Sequence, residues 1–121
     1  MDRVRRDGLP ASHLLGREGE RLAASFLERR GYRVLGSGFR ARRGEIDLVC
    51  RRGDRLVLVE VKTRSSDRFG TFAEAIGPRK RRALQRAAAE YRVLAGWRGP
   101  IEWIVVAVRP GQEPELIENP W

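Results

Sequence analysis

Between Gly44 and Lys62 the chain reads GEIDLVCRRGDRLVLVEVK. Two acids and a lysine in this stretch, Asp47, Glu60 and Lys62, are of the types that hold a metal cation or pair with one another. The runs Glu45–Cys50 and Leu56–Lys62 are rich in apolar and β-branched residues. They are separated by the polar break Arg51-Arg52-Gly53-Asp54, the signature of a β-hairpin. Successive side chains of a strand point to opposite faces. One face is therefore expected to carry Ile46, Leu48, Cys50, Val57, Val59 and Val61. The other carries Glu45, Asp47 and Val49 with Leu56, Leu58, Glu60 and Lys62. If Gly53-Asp54 is a two-residue loop, Arg52 faces Arg55, Asp47 faces Glu60 and Glu45 faces Lys62. Two opposed carboxylates repel unless a cation lies between them. Lys62 supplies part of that charge, and a divalent metal would supply more. A surface ion pair, worth about 0–1 kcal/mol, accounts for either tripeptide alone. Both together, on one face and at one end of a hairpin, favour a site.

The elements that must position these residues follow from the rest of the pattern. Met1–Ala11 reads as a flexible basic arm preceding a single domain over 12–121. Ser12 caps a helix expected to run to about Arg30, where Gly31 stops it. Leu15, Gly19, Leu22, Ala23, Phe26 and Leu27 share one side of that helix, with Glu20 at the border. Tyr32–Leu35, extending towards Arg40, reads as a first strand, and the basic loop Arg40, Arg42, Arg43 leads into the hairpin. Thr63–Ile76 shows no clean period and reads as a loop beside the charged cluster, with Phe69 and Phe72 in it. Pro78 opens a helix ending at Ala95 before Gly96, with Ala83, Leu84, Ala87, Ala88, Tyr91 and Leu94 as its apolar stripe. Ile101–Val108 is an apolar run expected to form a buried strand, and Leu116-Ile117 a short edge strand. A strand–helix–strand crossover makes the third and fourth strands parallel if they are neighbours. The expected fold is α/β, with a mixed central sheet flanked by helices in the order α-β-β-β-α-β(-β).

Composition narrows the partners. The chain of 121 residues has a net charge of +9 and is 41% hydrophobic, with a pI near 11.2. This is a folded domain with a basic surface, and nucleic acid is the natural polyanion for it. Arg79, Lys80, Arg81, Arg82 and Arg86 crowd the first turns of the second helix. That is the end where the helix dipole disfavours cations and where a phosphate would offset them. Of 25 basic residues only Lys62 and Lys80 are lysine. Lysine offers a compact charge of tunable pKa, unlike the planar, permanently charged guanidinium. One cysteine, Cys50, excludes an intramolecular disulfide and suits a reducing cytoplasm. No apolar run approaches the roughly 18–20 residues of a membrane span. The N-terminal arginines lack the apolar stretch of a secretory signal.

An acid on a first helix, Asp47, and Glu60-Val61-Lys62 beyond it resemble the PD-(D/E)XK nuclease superfamily. More narrowly, GREGERLAASFLERRGYRVL, GEIDLV, VEVKTR and the helix at Lys80 resemble the YraN-like bacterial proteins over about Leu15–Trp121. The resemblance implies a restriction-endonuclease-like core, similar to the dimeric archaeal Holliday junction resolvases. It implies a metal-dependent endonuclease hydrolysing phosphodiester bonds in DNA, including branched or repair and recombination substrates. Asp47 and Glu60 match the metal-binding acids, Lys62 the active-site lysine, Glu20 the helical acid, and Lys80 a basic position of the family. Glu102-Trp103-Ile104 departs from the family's usual Arg-Phe-Asp. Mg²⁺ or Mn²⁺ would take Asp47, Glu60 and the Val61 carbonyl as ligands. Arg40, Arg42, Arg43, Arg64, Arg79, Lys80, Arg81 and Arg82 would hold the DNA backbone, in a homodimer if the resolvase likeness extends so far. The alternative is a module that binds nucleic acid, or serves a DNA-processing assembly, without cutting.

Overall fold

The computed structural model describes residues 11–42, 44–63 and 76–120, with side chains of the first helix from residue 17 onward. The expected arm before Ala11, the loop with Phe69 and Phe72, and the side chains of Ser12 and Leu15 lie outside the described residues, as do Arg43 and Arg64. The elements are α1 (Ala11–Arg29), β1 (Arg33–Arg40), β2 (Glu45–Arg52), β3 (Arg55–Thr63), α2 (Pro78–Ala95), β4 (Ile101–Val108) and β5 (Glu115–Glu118). They form one five-stranded mixed sheet in the order β1-β2-β3-β4-β5. Only β3 and β4 run parallel, joined across α2, and the other pairs are antiparallel. This is the architecture of a restriction-endonuclease-like core.

Glycines set the breaks. At the end of α1, Gly31 takes φ 92, and the N–H groups of Gly31 and Tyr32 donate to the carbonyls of Glu28 and Leu27 at 3.1 and 3.0 Å. This is a Schellman closure, with Tyr32 buried behind it. The same device ends α2 at Gly96, whose φ is 65. In the hairpin, Gly53 has φ 62 and Arg52 stands opposite Arg55, the register expected of a two-residue loop with glycine first.

The helices cover opposite faces. Ala23, Phe26 and Leu27 of α1 pack on Leu48, Cys50, Val57 and Val59. Ala87 of α2 packs on Val49, Leu56 and Leu58. Three expectations need correction. Ile46 packs with the α2-side cluster rather than with Leu48, so the alternation of β2 slips by one residue at Asp47. Leu22 is 44% exposed, because the buried line of α1 runs through Gly19, Ala23, Phe26 and Leu27 and leaves Leu22 on its flank. Leu94 is 70% exposed. There the last turn of α2 is held instead by Arg92, which donates to the Trp97 and Gly99 carbonyls. Among the described residues, no helix is long and apolar enough to cross a membrane.

Each helix makes a close approach at a glycine. A Cβ on Gly44 would lie 3.1 Å from the Ala83 carbonyl oxygen of α2, and one on Gly19 would collide with the Thr63 hydroxyl of β3. Gly44→Ala should therefore push α2 back and destabilise the protein by about 1–2 kcal/mol in urea denaturation. Gly36→Ala, where nothing lies within 4 Å, should stay within about 0.5 kcal/mol of the parent. Equal midpoints for the two variants would show that α2 does not bear on Gly44.

Candidate metal centre

β3 extends beyond the point where its ladder with β2 runs regularly, and its last residues carry the charges. Leu56, Leu58, Glu60 and Lys62 alternate onto the α2 face. Glu60 lies opposite Val105 and Lys62 opposite Ala107 of β4. This buries Glu60 to 4% exposure. Such a carboxylate costs several kcal/mol to desolvate unless cations meet it, and two do. Lys62 Nζ lies 3.3 Å from Glu60 Oε1, and Lys80 Nζ, from the first turn of α2, lies 3.6 Å from the same oxygen. The other oxygen, Oε2, is buried with no hydrogen-bond partner among the described residues.

Asp47 occupies the slip in β2. The β2–β3 register runs regularly from Arg52 opposite Arg55 to Leu48 opposite Val59. Beyond it the Asp47 side chain takes over, its Oδ2 accepting the Val61 N–H at 2.7 Å. The slip brings Glu45 and Asp47 together with Glu20 of α1, one carboxylate oxygen of each lying within 4.8 Å of the others. Contact between Gly19 and the Thr63 side chain holds α1 close enough for Glu20 to arrive there. Burial, then the Glu60 charge, and then those of Glu20 and Glu45 push the Asp47 carboxyl from 3.8 up to about 7, against the opposing hydrogen bond from Val61. Asp47 thus sits between two groups, an acidic trio towards α1 and a lysine-bound glutamate towards α2.

Of the expected site residues, Glu20 and Asp47 are brought together, while Glu60, Lys62 and Lys80 form their own contact beside them. Glu45, expected on the same face as Asp47, joins the trio. Its signal in the sequence was its place two residues before Asp47, which a regular strand would have put on the same face. Arg40 and Arg42 are exposed at the end of β1, and the Arg42 N–H donates to Glu90 of α2 at 3.2 Å. Arg79 and Arg82 are exposed and Arg81 is half-buried. Ile104, where the family pattern has Asp, is buried in the α1-side core, and Glu102 pairs with Arg55 at 3.1 Å near the hairpin turn. A hollow of about 470 Å³ lies at that turn end, lined by Arg52, Arg55, Glu102 and Asn119 among others. It holds none of the clustered acids, whereas a second hollow, of about 490 Å³, is lined by Glu20 with Arg17, Arg21 and Leu48 among others.

The Asp47 carboxyl has a direct consequence for stability. Between its ordinary range and about 7, the unfolded chain has released the proton that the folded chain keeps. The folded state binds more protons there, so this contribution to stability is present at low pH and is lost as pH rises through the folded value. Asp47→Asn, which keeps an oxygen for the Val61 N–H, should gain stability relative to the parent as pH rises from about 4 to about 8 in metal-free buffer. Parallel pH profiles of the urea midpoint would show Asp47 titrating as a surface acid.

Known proteins resemble this chain in sequence. Residues 19–108 match the model of the uncharacterised protein family UPF0102. A UPF0102 protein of Anaeromyxobacter dehalogenans (strain 2CP-C) is 45% identical over 106 residues, covering 87% of this chain and 79% of that protein. One from Symbiobacterium thermophilum is 43% identical over 106 residues, covering 87% and 90%. One from Syntrophus aciditrophicus (strain SB) is 38% identical over 108 residues, covering 86% and 85%. With its acid-bearing helix, hairpin and crossover in place, the chain belongs to the UPF0102 family, the YraN-like group that its sequence resembles.

Proposed function

We propose that this protein is a divalent-metal-dependent endonuclease acting on DNA in the cytoplasm. The observation that carries this reading is the convergence of Glu20, Glu45 and Glu60 on the half-buried Asp47, whose carboxyl their charges help to push up to about 7. Like charges gathered at a partly desolvated edge favour a cation of higher charge than an ammonium. An all-oxygen donor set suits a hard ion such as Mg²⁺ or Mn²⁺. Asp47, Glu60 and the Val61 carbonyl would hold it, with Glu20 and Glu45 binding it directly or through water. The bound ion would lower the pKa of a water and neutralise charge on a phosphate.

The chain's own residues supply the rest. The Val61 N–H fixes one oxygen of Asp47, so the carboxylate does not have to be ordered when a ligand arrives. Lys62, with its side chain only 18% exposed, would orient the attacking water or meet the charge that develops on the phosphate. Arg40, Arg42, Arg79 and Arg82 would grip the phosphodiester backbone without reading bases, with Arg43 and Arg64 adding to them. Branched and repair intermediates are the substrates that the resolvase likeness suggests. A binding module that does not cut is the second reading, favoured by the two ammoniums already engaging Glu60.

Thermal melting with and without millimolar Mg²⁺ or Mn²⁺, alongside a plasmid and four-way-junction cleavage assay, separates the two. The nuclease should be stabilised by metal according to RT ln(1 + [L]/Kd), about 2.7 kcal/mol at a hundredfold excess over Kd. Asp47→Asn should lose most of that gain, and Lys62→Ala should keep it while losing cleavage. No metal-dependent shift in the parent would leave the binding module. For either reading, DNA affinity should fall with salt at a slope of about −0.9 per phosphate contact. Replacing Arg79 and Arg82 with Ala should flatten that slope; an unchanged slope would place the DNA elsewhere.

A further inference from the structure

The chain's only two lysines arrive from different elements at one carboxylate oxygen. Lys62 reaches Glu60 Oε1 from two residues along β3, and Lys80 reaches it from the first turn of α2, at 3.3 and 3.6 Å. They are not equivalent. The Lys62 side chain is 18% exposed and the Lys80 side chain 41%, so Lys80 is the more accessible of the two. The position is also electrostatically awkward for a cation, because the N-terminal turn of a helix carries the positive end of the dipole. Exposed Arg79 and Arg82 flank it, and α2 has no acid in its first turn. An ammonium placed there needs an anion. Glu60 serves as that anion in this structure, yet the second oxygen of the same carboxylate stays buried without a hydrogen-bond partner among the described residues. A glutamate held on one oxygen and unpartnered on the other is poised to change its cation.

Resting on the nuclease reading, we propose that Lys80 exchanges partners: it neutralises Glu60 while no divalent ion is bound, and passes to a backbone phosphate of the nucleic acid when such an ion takes Glu60. Metal binding and nucleic-acid binding are then coupled through one side chain. Metal occupancy removes the anion that Lys80 was holding and frees an ammonium beside the arginines that grip the backbone. Lys62, more deeply buried, stays with the site. The choice of lysine follows from the exchange. A guanidinium would clasp the carboxylate through a planar two-point fork, whereas an ammonium makes a point contact and leaves it readily.

The test measures Mn²⁺ affinity by equilibrium dialysis for the parent, Lys80→Gln and Lys80→Arg without nucleic acid. It then measures the salt dependence of binding to a short DNA duplex with and without Mn²⁺, read by stopped-flow anisotropy before cleavage. Lys80→Gln should bind Mn²⁺ about three- to tenfold tighter than the parent, since Glu60 loses a competing cation. Lys80→Arg should bind it no tighter than the parent. The steepening of the salt slope that Mn²⁺ brings should be greater in the parent than in Lys80→Gln by about 0.9, one phosphate contact. A Lys80 that merely ties α2 to the sheet would lower the melting temperature on substitution without moving either quantity. Equal Mn²⁺ affinities, or equal steepening, in parent and Lys80→Gln overturn the exchange and leave the nuclease reading standing. Absence of Mn²⁺ binding to the parent overturns both.

Discussion

Burying Glu60 at the end of β3 constrains everything around it. An ionised carboxylate with 4% exposure is tolerable only with cations against it, and the sheet offers none from β4, where Val105 and Ala107 stand opposite Glu60 and Lys62. The cations must come from β3 itself and from whatever covers that face. Lys62 meets the first demand, and α2 meets the second by starting where Lys80 reaches the same oxygen. For the helix to start there it must lie close on the sheet, which is why Gly44 faces the Ala83 carbonyl with no room for a side chain. The position of α2, a glycine at the start of β2 and one of the two lysines thus follow from a single buried charge.

On the other face the same end of the sheet is built around Asp47. α1 is drawn in at Gly19 against Thr63, and its next residue, Glu20, meets Glu45 and Asp47. Three acids within ion-binding reach of one another oppose folding when no cation is present. The apolar layers must offset this, with Phe26 and Leu27 on one side and Leu56, Leu58 and Leu84 on the other, all essentially inaccessible to water. Strain of this kind accumulates at functional edges and is compensated by packing elsewhere.

The sequence was legible where local rules and tertiary packing agree. Gly31, Gly53 and Gly96 each need positive φ and each ended an element where expected. Pro78 to Ala95 was bounded by proline and glycine, and Ile101–Val108 is a strand buried from Ile104 onward, where its run is apolar on both faces. The face that Asp47 takes resisted reading because a slip in alternation leaves no mark in composition. Ile46 is as apolar as Leu48, and only three-dimensional packing reveals that they point to opposite helices. Leu22 and Leu94 fitted a helical stripe, but a stripe shows which side of a helix is apolar, not how far its partner extends. The excess of arginine over lysine carried more information than any periodicity, since both lysines converge on Glu60.

The openness of the site also bears on what it handles. Small ligands need concave pockets that enclose most of their surface; the hollow at the hairpin-turn end, lined by Arg52, Arg55 and Glu102, holds none of the clustered acids, and a second one beside α1 takes in Glu20 alone of them. The acids sit instead on an edge between the start of α2 and the flank of α1. A long polyanion does not need enclosure: its affinity comes from many backbone contacts spread over a surface, and only one phosphate has to enter the charged edge. A chain of net charge +9 provides the attraction at long range, while Glu20, Glu45, Asp47 and Glu60 gather at that edge. Under the proposed function, that arrangement would let the basic surface hold an extended phosphodiester while one phosphate meets the acidic cluster.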